Sequence, residues 1–236
     1  MDKYLCIDIE TIPFQSLPEG TMPEFDPESV KMGNIKDETK RAEKVAEAKA
    51  QFEAGLVKQM SLDPDLCEVI MVAILKEGDY LMESYGPYIT EYERIYETWS
   101  LIAAAYQSRI PLVTYNGMGF DLPILLHAAI RLDVAVSPFM YSALTQKYNN
   151  PHHYDLMQWF SSWDRQKWKP LDFYLKLFDI GAKTSDGSQV YDMWKAGEHD
   201  KIREYCEQDV LMTARLFERV SPWIVKEVEV YEIDKK

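Results

Sequence analysis

Asp8 and Glu10 stand two apart in the stretch Leu5-Cys6-Ile7-Asp8-Ile9-Glu10. On an extended chain residues two apart share a face, so both carboxylates point one way while Leu5, Ile7 and Ile9 point the other. Two adjacent carboxylates repel and are costly to keep ionised without a cation. Their hard oxygens suit Mg²⁺ or Mn²⁺. A strand end at the surface, with both acids hydrated, is the plainer alternative. Tyr205 and Asp209 are four apart on a helix-like stretch, one turn above each other. Ile202, Met212 and Leu216 extend that face and turn it inward, and a buried Asp needs a partner such as a metal. Taken alone, local capping or pairing explains this Asp better. Asp121 ends the run Asn116-Gly117-Met118-Gly119-Phe120-Asp121, between a short strand-like segment and an apolar helix. Its two glycines allow a close backbone approach to a ligand. An acid at that junction serves either as an N-cap or as a metal ligand.

These residues need elements to hold them. Lys3 to Glu10 reads as a strand, followed by an irregular stretch carrying Pro13, Pro18, Pro23 and Pro27. Lys36 to Met60 is rich in Lys, Glu and Ala, with a narrow apolar stripe at Val45, Phe52 and Leu56. It predicts a long, mostly solvated helix, capped near Asn34 or Asp37. Residues 17–58 therefore read as an insertion into one domain spanning 1–236. Cys67 to Leu75 predicts a buried strand, and Tyr80 to Tyr85 its antiparallel neighbour across Gly78-Asp79. Glu91 to Gln107 predicts a helix with Tyr92, Ile95, Tyr96, Trp99 and Ile102 on its inner face. A short strand at 111–115, helices at 122–132, 168–178 and 200–220, a loop at 181–187 and a strand or helix extension at 225–233 complete the α/β pattern.

Composition narrows the class. The chain has 236 residues with 39 acidic and 26 basic side chains, a net charge of −13. With 47% hydrophobic residues it is not a disordered tail. No apolar run is long enough to span a membrane, and acids in the first residues do not fit a signal peptide. Cys6, Cys67 and Cys206 form no CxxC or Cys/His cluster, which argues against zinc and fits reduced thiols in the cytoplasm. The acidic balance argues against long basic grooves.

Asp8-Ile9-Glu10-Thr11, Asn116–Asp121 and Tyr205-Cys206-Glu207-Gln208-Asp209 resemble, in order, the three exonuclease motifs of the DEDD superfamily. The Tyr-x-x-x-Asp form marks the DEDDy branch. Residues 61–75, 153–157 and 181–190 are similar to a stand-alone group related to the exonuclease domain of family B DNA polymerases. The resemblance implies an RNase H-like mixed sheet flanked by helices, with the charged helical insertion after the first strand. It implies a 3′→5′ exonuclease on single-stranded DNA or RNA 3′ ends, releasing nucleoside 5′-monophosphates, with a role in DNA repair. It assigns Asp8, Glu10, Asp121 and Asp209 to two divalent cations, Mg²⁺ or Mn²⁺, and Tyr205 to orienting the nucleophilic water. Thr11, Asn116, Phe120 and Lys183 are the expected substrate contacts, although core packing explains Phe120 better. Asp155 is expected to cap a helix or support the site from behind. A non-catalytic nucleic-acid-binding module and a small-nucleotide phosphoesterase are the competing classes.

Overall fold

The computed structural model describes residues 3–76, 81–182 and 189–225. Its frame is a five-stranded mixed sheet in the order β3-β2-β1-β4-β5. The strands are β1 (Leu5–Pro13), β2 (Cys67–Lys76), β3 (Leu81–Tyr85), β4 (Leu112–Thr114) and β5 (His153–Asp155). β2 is antiparallel to both β1 and β3, whereas β4 runs parallel to β1 and to β5. The alternation read for β1 holds. Leu5, Ile7 and Ile9 enter one core, with residues of α2 (Glu91–Gln107), α3 (Asp121–Arg131) and α4 (Pro138–Leu144). Cys6 enters the other core, built mainly on α8 (His199–Ile224) together with α6 (Leu171–Leu177). The continuous apolar run of β2 is buried on both faces, as a strand between two helical layers must be.

One irregularity falls beside the paired acids. Glu10 pairs with Met71 and Thr11 with Val69, so Ile70 of β2 is an extra residue in the ladder. Such a bulge bends the strand pair and re-aims side chains locally.

The 36–60 helix appears as α1 (Glu38–Ser61), and the Asp37 carboxylate accepts from the Lys40 N–H at 3.0 Å as its cap. Met60 is its only buried residue, in keeping with the solvated helix that the Lys/Glu/Ala composition predicts. α2 has the predicted bounds but a different inner face. Ile95, Trp99 and Ile102 are buried as expected, while Tyr92 and Tyr96 are 46% and 49% exposed and stack on each other. Arg94 and Thr98 are buried in their stead. The Arg94 guanidinium donates to the carbonyls of Val69, Gly86 and Ile89, and so satisfies the irregular 86–90 turn from within.

Four short elements were not foreseen as such: α4, β5, α5 (Leu156–Ser161) and α7 (Val190–Lys195). Each is at most two turns or three residues long, too short for periodicity to stand out. The 78–79 turn, most of the 181–187 loop and nearly all of 225–233 lie outside the described residues. Among the described residues, no helix is long and apolar enough to cross a membrane.

Candidate active site

Asp8 and Glu10 project from β1 toward α8, where Tyr205, Cys206 and Asp209 occupy one face. One oxygen from each of Asp8 and Glu10, together with the Cys206 sulfur, lie within 4.8 Å of one another, a grouping able to hold a metal ion. Cys206 Sγ is 3.5 Å from the Asp8 carbonyl oxygen and 3.9 Å from Asp8 Oδ2. Burial pushes this thiol far above its ordinary pKa, with Asp8 adding to the shift, so it keeps its proton. The ready cation donors are therefore carboxylate oxygens, a hard set.

Tyr205 donates a hydrogen bond to Asp209. Burial, and then the charges of Asp209, Glu10 and Asp8, hold the phenol well above its usual range. At neutral pH it is a donor and not a base. Asp8, Glu10, Thr11, Phe120, Tyr205 and Asp209 all line one cleft of about 620 Å³. Its remaining walls come from α1 (Ala54, Val57, Lys58 and Ser61, with Leu62 just beyond) and α7 (Val190, Tyr191, Asp192 and Lys195).

Asp121 reaches the same strand from the opposite helical layer. It is the first residue of α3 and not its N-cap; Phe120 occupies the cap position and makes no side-chain cap bond. The Asp121 carboxylate accepts from its own N–H and from the N–H of Ile9, between the paired acids. It is 1% exposed, and its Oδ1 has no hydrogen-bond partner. Burial, and to a lesser degree Asp155, pushes this carboxyl up to about 7. An orphaned buried carboxylate oxygen is costly, and a cation would relieve it. Hard oxygens and this orphan together fit a divalent ion.

The 116–121 loop is shaped by internal bonds. The Asp155 carboxylate accepts from Asn116 N at 3.0 Å, Met118 N at 2.9 Å and, as the cap of α5, Gln158 N at 3.2 Å. Asp155 is thus a cap and loop tether, as read from the sequence. Behind it, His153 donates from Nδ1 to the Leu144 carbonyl at 2.8 Å, which leaves Nε2 to accept from Thr114 Oγ1 at 2.8 Å. Both glycines are required by this packing. A Cβ on Gly117 would lie 2.3 Å from Thr114 Oγ1, and one on Gly119 would lie 2.5 Å from Asn116 Oδ1. Asn116 takes φ of +70°, a conformation Asn tolerates better than most residues.

The expected substrate contacts divide. Thr11 lines the cleft, but its hydroxyl donates to the Ser61 carbonyl at 2.5 Å. Phe120 lines the cleft and also packs on the α2–α3 core. Asn116 and Asp121 are not among the cleft-lining residues. Lys183 lies outside the described residues. Sequence reasoning missed Cys206, whose spacing of three from Asp209 already set it on nearly the same helical face. It also missed the α1 and α7 walls, which no local pattern ties to the acids.

A five-stranded mixed sheet with a buried acidic strand between two helical layers is the RNase H-like architecture of a family B polymerase exonuclease domain. One solved structure of that kind is the family B DNA polymerase from the hyperthermophilic archaeon Pyrobaculum calidifontis. It superposes with a TM-score of 0.55 at 19% sequence identity, over 94% of this chain and 25% of the polymerase. The chain thus spans about a quarter of that relative, and at this identity the likeness concerns the fold. Residues 64–226 match the family described as "Predicted 3'-5' exonuclease related to the exonuclease domain of PolB". The chain belongs to this family of predicted 3′–5′ exonucleases. Among curated proteins none matches it.

Proposed function

We propose that the chain is a divalent-cation-dependent 3′→5′ exonuclease on single-stranded DNA or RNA, built as one domain with 17–58 inserted after β1. The observation that carries this reading is the meeting of Asp8, Glu10, Tyr205 and Asp209 in one cleft, with an orphaned Asp121 oxygen against the same strand. Asp8, Glu10, Asp121 and Asp209 would hold two cations, Mg²⁺ or Mn²⁺. Bound there, such ions supply an activated water and neutralise the departing 3′-oxygen. In the reaction a water oxygen bonds to phosphorus, the P–O3′ bond breaks and the freed 3′-oxygen takes up a proton. The products are a shortened strand and a nucleoside 5′-monophosphate.

The chain's own residues shape that step. Tyr205, kept protonated, holds the Asp209 carboxylate by donation, accepts from the water through its own oxygen and so orients it, and does not remove a proton. Phe120 offers a ring on which the terminal base stacks. Thr11 acts through its backbone, since its hydroxyl is bonded to α1. At about 620 Å³ the cleft falls within the range of about 300–1,000 Å³ typical of small-ligand sites, room for a strand end. The three free thiols are buried, which fits the reducing cytoplasm. A binding module without catalysis fits less well, because burying Asp121 without a cation only destabilises such a module.

The test is hydrolysis of matched 5′-labelled single-stranded DNA and RNA with Mg²⁺ or Mn²⁺. A ladder shortening from the 3′ end, abolished by EDTA, is expected. An intact strand after incubation with folded, monodisperse protein would overturn the reading.

A further inference from the structure

The helix that looked like a solvated insertion ends inside the candidate active site. Its last turns present Val57, Lys58 and Ser61 to the cleft, and Leu62 follows directly. This segment precedes the family match at 64–226. It is also fixed in place at three points. The Thr11 hydroxyl, one residue after Glu10, holds the Ser61 carbonyl at 2.5 Å. Met60 is buried. The Phe14 N–H bonds the Leu66 carbonyl at 3.0 Å, pinning the connection into β2.

The surface so held is chemically mixed. Val57 is 36% exposed and Leu62 54% exposed, so they add apolar area to the cleft that Phe120 and Tyr191 also line. Between them stands Lys58, exposed and in no ion pair among the described residues. α7 also contributes Lys195 to the cleft, but Asp192 pairs with it at 2.8 Å. Lys58 is therefore the less neutralised ammonium in a cleft that Asp8, Glu10 and Asp209 also line. Those acids repel a polyanion, and a lysine on the wall offsets that repulsion where it matters most.

Resting on the exonuclease reading, we propose that the end of α1 is the substrate-gripping wall of the cleft. Lys58 takes a backbone phosphate of the single strand, and Val57 and Leu62 pack against its sugars or bases. Lys58 is a binding residue that contacts the strand away from the bond being broken. Its contribution is then the same in the ground and transition states, and it appears in KM and not in kcat. One phosphate contact on a single strand contributes about 0.7 to the slope of log affinity against log salt.

Two measurements test the wall. In steady-state cleavage of a ten-nucleotide oligothymidylate, Lys58→Ala should raise KM about tenfold and leave kcat within about twofold. Lys58→Arg should restore KM. The second measurement is fluorescence anisotropy of the same labelled strand in EDTA, which needs no catalysis. There Lys58→Ala should weaken binding and flatten the salt slope by about 0.7, and Lys195→Ala should do less of both. Wild-type protein that fails to cleave would sink the exonuclease reading while the anisotropy still tests the wall. Wild-type KM and an unchanged salt slope in Lys58→Ala would overturn the wall itself.

Discussion

Helices α1 and α8 are nearly equal in length, 24 and 26 residues, and both reach the same cleft. They are built in different ways. α8 buries twelve residues, from Ile202 to Ile224, whereas α1 buries Met60 alone. α8 is thus held by packing, and it delivers Tyr205 and Asp209 as a consequence of where its apolar face must go. α1 is held by intrinsic propensity, the Asp37 cap, and anchors at its final turn. The difference separates two jobs. A group that must stay fixed relative to Asp8 and Glu10 belongs on the packed helix. A wall that meets a varied strand sits on a helix that can change with little effect on the core.

That contrast is easiest to break at the acids. Asp209→Asn on α8 should lower cleavage by at least about 100-fold, beyond the 10–100-fold typical of residues that merely support a metal ligand. Far-ultraviolet dichroism should be unchanged. Near-normal rates in Asp209→Asn would remove α8 from the site. Stability gives the next largest effect. Leu216→Ala, at a fully buried position of α8, should cost about 2–5 kcal/mol in urea unfolding. Glu47→Ala on the exposed side of α1 should stay within about 0.5 kcal/mol. Equal costs would erase the distinction between the helices.

A smaller effect comes from pH. Burial lifts the Asp121 carboxyl from 3.8 to about 7 in the metal-free fold. Its folded-state value lies above its unfolded one, so the native state holds a proton that the unfolded chain has already lost. Stability from this group is full below about pH 4 and is lost as pH rises through about 7. Asp121→Asn carries no such charge. In EDTA it should melt above the parent at pH 8 and much closer to it at pH 5. A constant gap across that range would show that Asp121 is not the titrating group.

Much of this arrangement was legible in the sequence. The parity of β1 placed Asp8 and Glu10 on one face, and the four-residue spacing set Tyr205 over Asp209, because both rules depend only on local geometry. The bounds of α2 followed from its apolar spacing, and its inner face did not; the Thr90–Glu93 capping box that fixes its start is seen in the structure. Tyr92 and Tyr96 look like core residues by type, and Arg94 does not. The buried guanidinium is explained by the carbonyls of residues 69, 86 and 89 that need donors, the first of them on another element. Asp121 was found as an acid at a junction, but its pairing with Ile9 depends on two layers meeting at β1. The α1 wall was illegible for the same reason. Nothing in residues 54–62 says that Thr11, some fifty positions earlier, will hold them beside Glu10.

On the proposed reading, these carboxylates cut a strand from its 3′ end and leave the phosphate on the released nucleotide. Identifying the first product chromatographically, from a single-stranded oligonucleotide with a free 3′-hydroxyl and Mn²⁺ present, tests this most directly. Nucleoside 5′-monophosphate from the 3′ terminus, absent with Asp8→Ala, is the predicted result. Nucleoside 3′-monophosphate, internal fragments, or the same product from Asp8→Ala would contradict it.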